Sequence, residues 1–166
     1  MPQTIKLLGS SKAGCEAESQ IGLLEPLPST PLVGRPEEGA ADPIRVLIVE
    51  DDVNYREIFS SELAWHGFAV YRFADGDALL GSLDATAEAD VIVLDWRLPT
   101  ISGIDLLIQL RQRGVNVPLV FLTSHTQPAN EQLAFQHGAR GFIDKTRCVE
   151  ALASRLRQVA QAGKLY

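Results

Sequence analysis

The stretch Ile44–Asp52, IRVLIVEDD, decides the fold. Residues 44–49 are a short, nearly continuous apolar run rich in Val and Ile. Three acids, Glu50, Asp51 and Asp52, follow at once. A run of this length, bounded by polar residues, reads as a strand buried on both faces. Working outward, VIVL (91–94) and PLVFL (118–122) repeat the pattern, and FAVYRF (68–73) and ARGFI (139–143) are weaker versions of it. Helical spacing fills the intervals. Residues 53–66 bring Tyr55, Ile58, Phe59, Leu63 and His66 near one face. Residues 103–113 do the same with Ile104, Leu107, Ile108 and Arg111, and residues 147–160 with Val149, Leu152, Leu156 and Val159. Apolar positions three and four apart mark helices that pack on a sheet. Residues 75–84 and 128–137 complete the series.

Strict β-α alternation implies a parallel sheet with helices on both faces. Five strands in about 120 residues suit the flavodoxin-like order 2-1-3-4-5, a (βα)5 three-layer sandwich. Residues 43–162 form this α/β domain, and residues 163–166 are a short C-terminal tail. Residues 1–42 differ in texture: they hold five of the nine prolines and five of the thirteen glycines, with no sustained period. They are expected to be a disordered extension or linker.

The chain of 166 residues carries 15 Lys+Arg against 21 Asp+Glu, a net charge of −6. That balance argues against direct nucleic-acid binding or an anionic-membrane surface. At 46% hydrophobic and 22% charged residues, the chain is too apolar to be disordered throughout. Cys15 and Cys148 have no metal-ligand spacing and read as reduced thiols, Cys148 as packing. No secretory h-region and no transmembrane run is visible, so a soluble, cytoplasmic protein with no membrane partner is expected.

In a sheet of this kind ligands bind outside the carboxyl ends of the strands. After the apolar runs come Glu50, Asp51 and Asp52, then Asp95, then Thr123 and Ser124, then Asp144 and Lys145. Crowded carboxylates raise one another's pKa, and a hard divalent cation such as Mg2+ relieves that. Metal, lysine, hydroxyl and a free carboxylate together suit phosphoryl transfer to an aspartate. Asp52 stands where a helix begins and reads as its N-cap.

VLIVEDD, VIVLDWRLP, FLTS and GFIDK resemble the signature segments of the response-regulator receiver domain of two-component signalling, over about residues 44–160. The resemblance implies that Asp95 is the phosphoacceptor for a partner sensor histidine kinase. It implies Mg2+ held by Glu50, Asp51, Asp95 and the backbone carbonyl of Arg97. Lys145 matches the lysine that pairs with the phosphoryl oxygens, Thr123 the switch hydroxyl and Phe142 the aromatic switch. Such a domain catalyses its own phosphorylation and, in some members, its own dephosphorylation; the positions of Arg97 and His125 influence that loss. Its role is switching rather than metabolic catalysis. The switched face comprises the fourth helix (128–137), the fifth strand (139–143) and the fifth helix (147–160), a candidate homodimer surface.

The chain departs from the family pattern in places. Lys145 is followed by Thr146 rather than a proline with a cis bond. Arg140 and Gly141 stand where many OmpR-type receivers carry two acids, although DWRLPTISGIDLL is closest to OmpR/ChvI-type receivers. A haloacid-dehalogenase phosphatase needs a second acid two residues after its nucleophile, and Arg97 occupies that place. A flavin site needs phosphate-binding turns where this chain has acids. The alternative is a degenerate receiver, a protein-binding module independent of phosphorylation. No effector domain is visible, so the expectation is either a single-domain receiver or part of a longer DNA-binding transcriptional regulator.

Overall fold

The structure is a computed structural model that describes Leu32–Val33 and residues 42–164. In chain order the elements are β1 (Leu32–Val33), β2 (Arg45–Val49), α1 (Val53–Trp65), β3 (Ala69–Phe73), α2 (Gly76–Leu80), α3 (Leu83–Ala87), β4 (Val91–Leu94), α4 (Gly103–Gln112), β5 (Leu119–Thr123), α5 (Pro128–Gln136), β6 (Gly141–Asp144) and α6 (Val149–Gly163). The sheet runs β1-β3-β2-β4-β5-β6. Its five parallel strands, β3-β2-β4-β5-β6, are the 2-1-3-4-5 order expected from the sequence.

Period-two alternation within the apolar runs divides the core. Val46 and Ile48 of β2 join Phe59, Leu63, Leu152 and Leu156 on the α1/α6 face. Leu47 and Val49 join Ile92, Leu94, Leu106, Leu107 and Leu110 on the opposite face. Both faces of each central strand are therefore buried, which is why these strands are apolar at every position. Among the described residues no helix is long and apolar enough to cross a membrane.

Three helices end in one way. Gly67, Gly114 and Gly138 follow α1, α4 and α5 with φ of 85°, 80° and 88°. Behind each, two backbone N–H groups reach back into the last turn, as in Phe68 to Leu63 and Gly67 to Ala64 (3.1 and 3.0 Å). This left-handed cap turns the chain sharply toward the next strand.

The structure differs from the sequence reading at several points. The helix expected over 75–84 is two short ones, α2 and α3, broken at Gly81 and Ser82. In α1 the inward face is Phe59, Ser60, Leu63 and Ala64. Tyr55 and Ile58 lie outside the core, because small Ser60 and Ala64 let the helix approach the sheet on that side. Cys148 is exposed at the start of α6 rather than packed. α6 continues through Gly163, as Val159 and Ala160 extend its buried stripe. Leu32–Val33, within the expected disordered extension, pair antiparallel with Val70 and Ala69 at the edge of β3. The rest of residues 1–41 lies outside the described residues.

Candidate functional site

Backbone bonds continue past the strand ends and fix the site. Glu50 donates its N–H to the Phe73 carbonyl, Asp95 to Val49 and Lys145 to Thr123, each at 3.1 Å. These steps set Glu50, Asp95, Thr123 and Lys145 side by side at the carboxyl edge. α4 closes tightly on that edge. A Cβ on Gly103 would run into the Asp95 carbonyl oxygen, while the Gly103 N–H donates to the Trp96 carbonyl at 2.9 Å. Only glycine fits this approach.

Lys145 is the hub. Its Nζ lies 2.6 Å from Glu50 Oε2 and 3.0 Å from Asp95 Oδ2. Glu50 and Asp95 are 3% and 7% exposed, while Asp51 stands open to solvent. The other oxygens are held as well: Asp52 N–H donates to Glu50 Oε1 at 3.2 Å and Trp96 N–H to Asp95 Oδ1 at 2.6 Å. Arg56 Nη1 donates to the Glu50 carbonyl at 2.7 Å and to that of Asp51 at 3.3 Å, tying the acidic loop to α1. Asp52 caps α1 as the sequence implied, accepting from the Asn54 and Tyr55 N–H groups at 2.8 and 3.2 Å.

Burial pushes the Glu50 carboxyl above its ordinary range, and the Lys145 hydrogen bond only partly opposes this. Burial alone would lower the Lys145 pKa, but hydrogen bonds to Glu50 and Asp95 outweigh it and hold the ammonium charged. Two carboxylates thus lie within 3.0 Å of one nitrogen.

Oxygens of Glu50, Asp51 and Asp95 all lie within 4.8 Å of one another. Three carboxylates against one ammonium give a formal charge of −2 in a partly desolvated site. An all-oxygen donor set with unneutralised negative charge fits a hard divalent cation such as Mg2+.

The remaining sequence-predicted residues stand around this cluster. Thr123 is fully buried, and its Oγ1 accepts the His125 N–H at 3.1 Å. Arg97 Nη1 lies 3.1 Å from His125 Nε2, bridging the β4–α4 and β5–α5 loops. The Phe142 ring packs against Trp96 and Phe121 at centroid distances of 6.0 and 5.9 Å. The Lys145–Thr146 bond is trans. Thr146 instead donates its N–H and its hydroxyl to Asp144 Oδ1, both at 2.8 Å, and these bonds pull the Asp144 pKa down. His66 and His137 stand at the C-caps of α1 and α5.

Sequence reasoning missed Tyr55, Arg56 and Trp96. Arg56 and Tyr55 lie one helical turn beyond the acids, a spacing that returns side chains to the carboxyl edge. Trp96 acts through its amide, which any residue would supply, so its identity carried no signal there.

The match to known proteins agrees with this geometry. The model of the response regulator receiver domain matches residues 46–157, and the chain belongs to that family of two-component signalling proteins. Response regulator MprA of Mycolicibacterium vanbaalenii is 31% identical over 115 residues, 69% of this chain and 49% of that protein. MprA of Mycobacterium ulcerans is 30% identical over 74% of this chain and 52% of its own length. The chain thus spans about half the length of the curated relatives it matches. Among solved structures, chemotaxis response regulator CheY4 of Vibrio cholerae superposes with TM-score 0.64 at 29% identity, covering 70% of this chain and 98% of its own. The NarL signal receiver domain of Mycobacterium tuberculosis does so with TM-score 0.66 at 26% identity, covering 73% and 98%.

Proposed function

We propose that Asp95 accepts a phosphoryl group from the phosphohistidine of a partner sensor histidine kinase, in a Mg2+-dependent reaction that switches a protein-binding face. The observation that carries this reading is the Asp95 carboxylate, buried at a strand end and 3.0 Å from the Lys145 ammonium. Asp95 attacks phosphorus; the new P–O bond forms as the P–N bond breaks, and the imidazole leaves with the electron pair. Glu50, Asp51, Asp95 and the Arg97 carbonyl would hold Mg2+, which when bound neutralises charge on the phosphoryl oxygens. Lys145 pairs with an oxygen that the metal leaves exposed.

The modified Asp95 carries more charge and more acceptor oxygens. Thr123 then gains a reason to leave the His125 N–H and turn its hydroxyl inward. Phe142, packed against Trp96 and Phe121, is the aromatic group that answers that motion. The equilibrium shifts only because these contacts exist in one state and not the other. The responding face is α5, β6 and α6. A cleft of about 520 Å3 lies there, lined by residues including Glu131, Phe135, Phe142, Arg147 and Arg155. This face is the candidate homodimer or partner surface. Autodephosphorylation, cytoplasmic location and the receiver's place in a longer DNA-binding regulator belong to the same proposal. The greater length of the matched relatives supports the last.

The test is intact-protein mass after incubation with a small phosphodonor, with and without Mg2+, for wild type and Asp95→Asn. A gain of one phosphoryl group that needs both Mg2+ and Asp95 is expected. If wild type gains none, a kinase assay and beryllofluoride binding decide. Failure of both would leave the protein-binding module independent of phosphorylation.

A further inference from the structure

Tyr55 has no part in the reading above. It stands in the first turn of α1, fixed there by the Asp52 cap, which accepts its backbone N–H at 3.2 Å. Its ring lies over Lys145, with Nζ 4.6 Å from the ring centroid, and stacks on Phe59 at 5.9 Å and 12°. An ammonium has three N–H donors and no acceptor. Glu50 and Asp95 take two of them, and the face of the Tyr55 ring is the third partner. The Lys145 side chain is only 5% exposed, while Tyr55 is 40% exposed, so the ring is part of the wall between the ammonium and solvent.

We propose that Tyr55 is a positioning residue for phosphoryl transfer at Asp95. Its ring holds the Lys145 ammonium at the acceptor and thereby sets how fast the phosphoryl group is gained and lost. The proposal rests on the receiver reading and deepens it. During transfer Lys145 must exchange a carboxylate contact for a phosphoryl oxygen. A carboxylate partner is lost in that exchange; the ring face is not, so it keeps Nζ in place while the other partners change. Loss of the group reverses the charge development: a water oxygen bonds to phosphorus, the bond to Asp95 breaks, and inorganic phosphate leaves with the carboxylate restored. A wall over Lys145 narrows the approach of that water.

The experiment compares Tyr55→Phe and Tyr55→Leu in the full chain. Phe keeps the ring face and loses the hydroxyl; Leu keeps apolar bulk against Phe59 and loses the ring. Two readouts are taken: gain and loss of the phosphoryl group by intact mass with acetyl phosphate and Mg2+, and the NMR shifts of the Lys145 Cε protons without donor or metal. Tyr55→Phe is expected to keep the ring-current shift and to stay within about twofold of wild-type rates. Tyr55→Leu is expected to lose that shift, to gain the group roughly fivefold more slowly and to lose it faster.

Wild-type rates in Tyr55→Leu, or equal impairment in both variants, would overturn the role of the ring. If acetyl phosphate fails to modify wild type, beryllofluoride affinity replaces the rates, with the same ordering expected and equal affinities overturning the proposal. A wild-type chain that neither takes the group nor binds beryllofluoride defeats the receiver reading and this proposal together. That failure is distinct from one in which only the variants match wild type.

Discussion

The two ends of the sheet both carry ion pairs, and they are built on opposite terms. At the amino end Arg45 meets Glu88 at 3.2 Å and Lys164 meets Asp90 at 3.3 Å, on side chains that are 23 to 74% exposed. At the carboxyl end Lys145 meets Glu50 and Asp95 at 2.6 and 3.0 Å, with all three side chains nearly removed from it. Exposed pairs contribute little because solvent screens them. Buried pairs gain strong attraction but have lost hydration, so their net value to folding is small and removing one partner is costly. The glycines divide in the same way. Gly67, Gly114 and Gly138, which lead into strands at the amino end, serve a backbone angle with open space around them, and Gly103 at the carboxyl end serves a close contact with backbone. The carboxyl end is thus the place where the fold tolerates desolvated charge and tight approach, as a site requires and a scaffold does not.

Lys145→Ala tests that contrast most severely. It strands Glu50 and Asp95 without their cation, and at neutral pH without Mg2+ we expect a loss of about 3 kcal/mol in urea unfolding. The pH dependence has a definite sign. The Glu50 pKa is already raised, chiefly by burial, and removing Lys145 takes away the main opposing influence. A carboxyl whose folded pKa is raised binds protons more tightly folded than unfolded. The deficit is therefore full above the folded Glu50 pKa and shrinks as pH falls through it toward the ordinary 4.5. Mg2+ should restore part of the loss at neutral pH. A loss under about 1 kcal/mol, unchanged by Mg2+, would mean that water solvates these acids and that the two ends do not differ.

Gly103→Ala comes next. Its Cβ meets backbone rather than a flexible side chain, so α4 must retreat from Asp95, at a cost of about 2 kcal/mol. The shift should also slow phosphoryl acceptance, because α4 carries the loop that positions Asp95. Gly114→Ala is the control at the other end. Nothing lies within 4 Å of the new methyl, and only the positive φ opposes it, at about 1 kcal/mol. Such a change should leave acceptance untouched. Equal effects on acceptance from both variants would dissolve the distinction.

The same contrast explains what could be read in the chain. The five parallel strands were legible because burial on both faces demands continuous apolar runs, and VIVL (91–94) matches β4 residue for residue. Glu50, Asp51, Asp95, Thr123 and Lys145 were legible as a group because polar residues end those runs and the topology gathers run ends at one edge. Ser60 and Ala64 hid the true inward face of α1, since small residues pack closely without an apolar signal. The break between α2 and α3 hangs on two residues, Gly81 and Ser82, that tolerate either conformation. Tyr55 read as one more helix-face residue. Its meaning lies in a lysine ninety positions later, a contact that no local pattern encodes.

The smallest expected effect is at the amino end, and it bears on the comparison from the other side. Arg45 and Glu88 are 45% and 74% exposed at the side chain. Holding two long side chains in one geometry costs rotamer freedom that nearly offsets a screened attraction. A double-mutant cycle with Arg45→Ala and Glu88→Ala should therefore give a coupling below about 0.5 kcal/mol, falling further at high salt. The parallel cycle with Glu50→Gln and Lys145→Ala should give a coupling several times larger and nearly indifferent to salt, since ions cannot screen a pair that solvent barely reaches. The Arg45 backbone N–H bond to Asp90 Oδ2, at 2.8 Å, survives Arg45→Ala, so the cycle isolates the side-chain pair. A coupling at Arg45–Glu88 as large as that at Glu50–Lys145 would show that burial does not set these energies. A small and salt-sensitive one at Arg45–Glu88 would show that burial does.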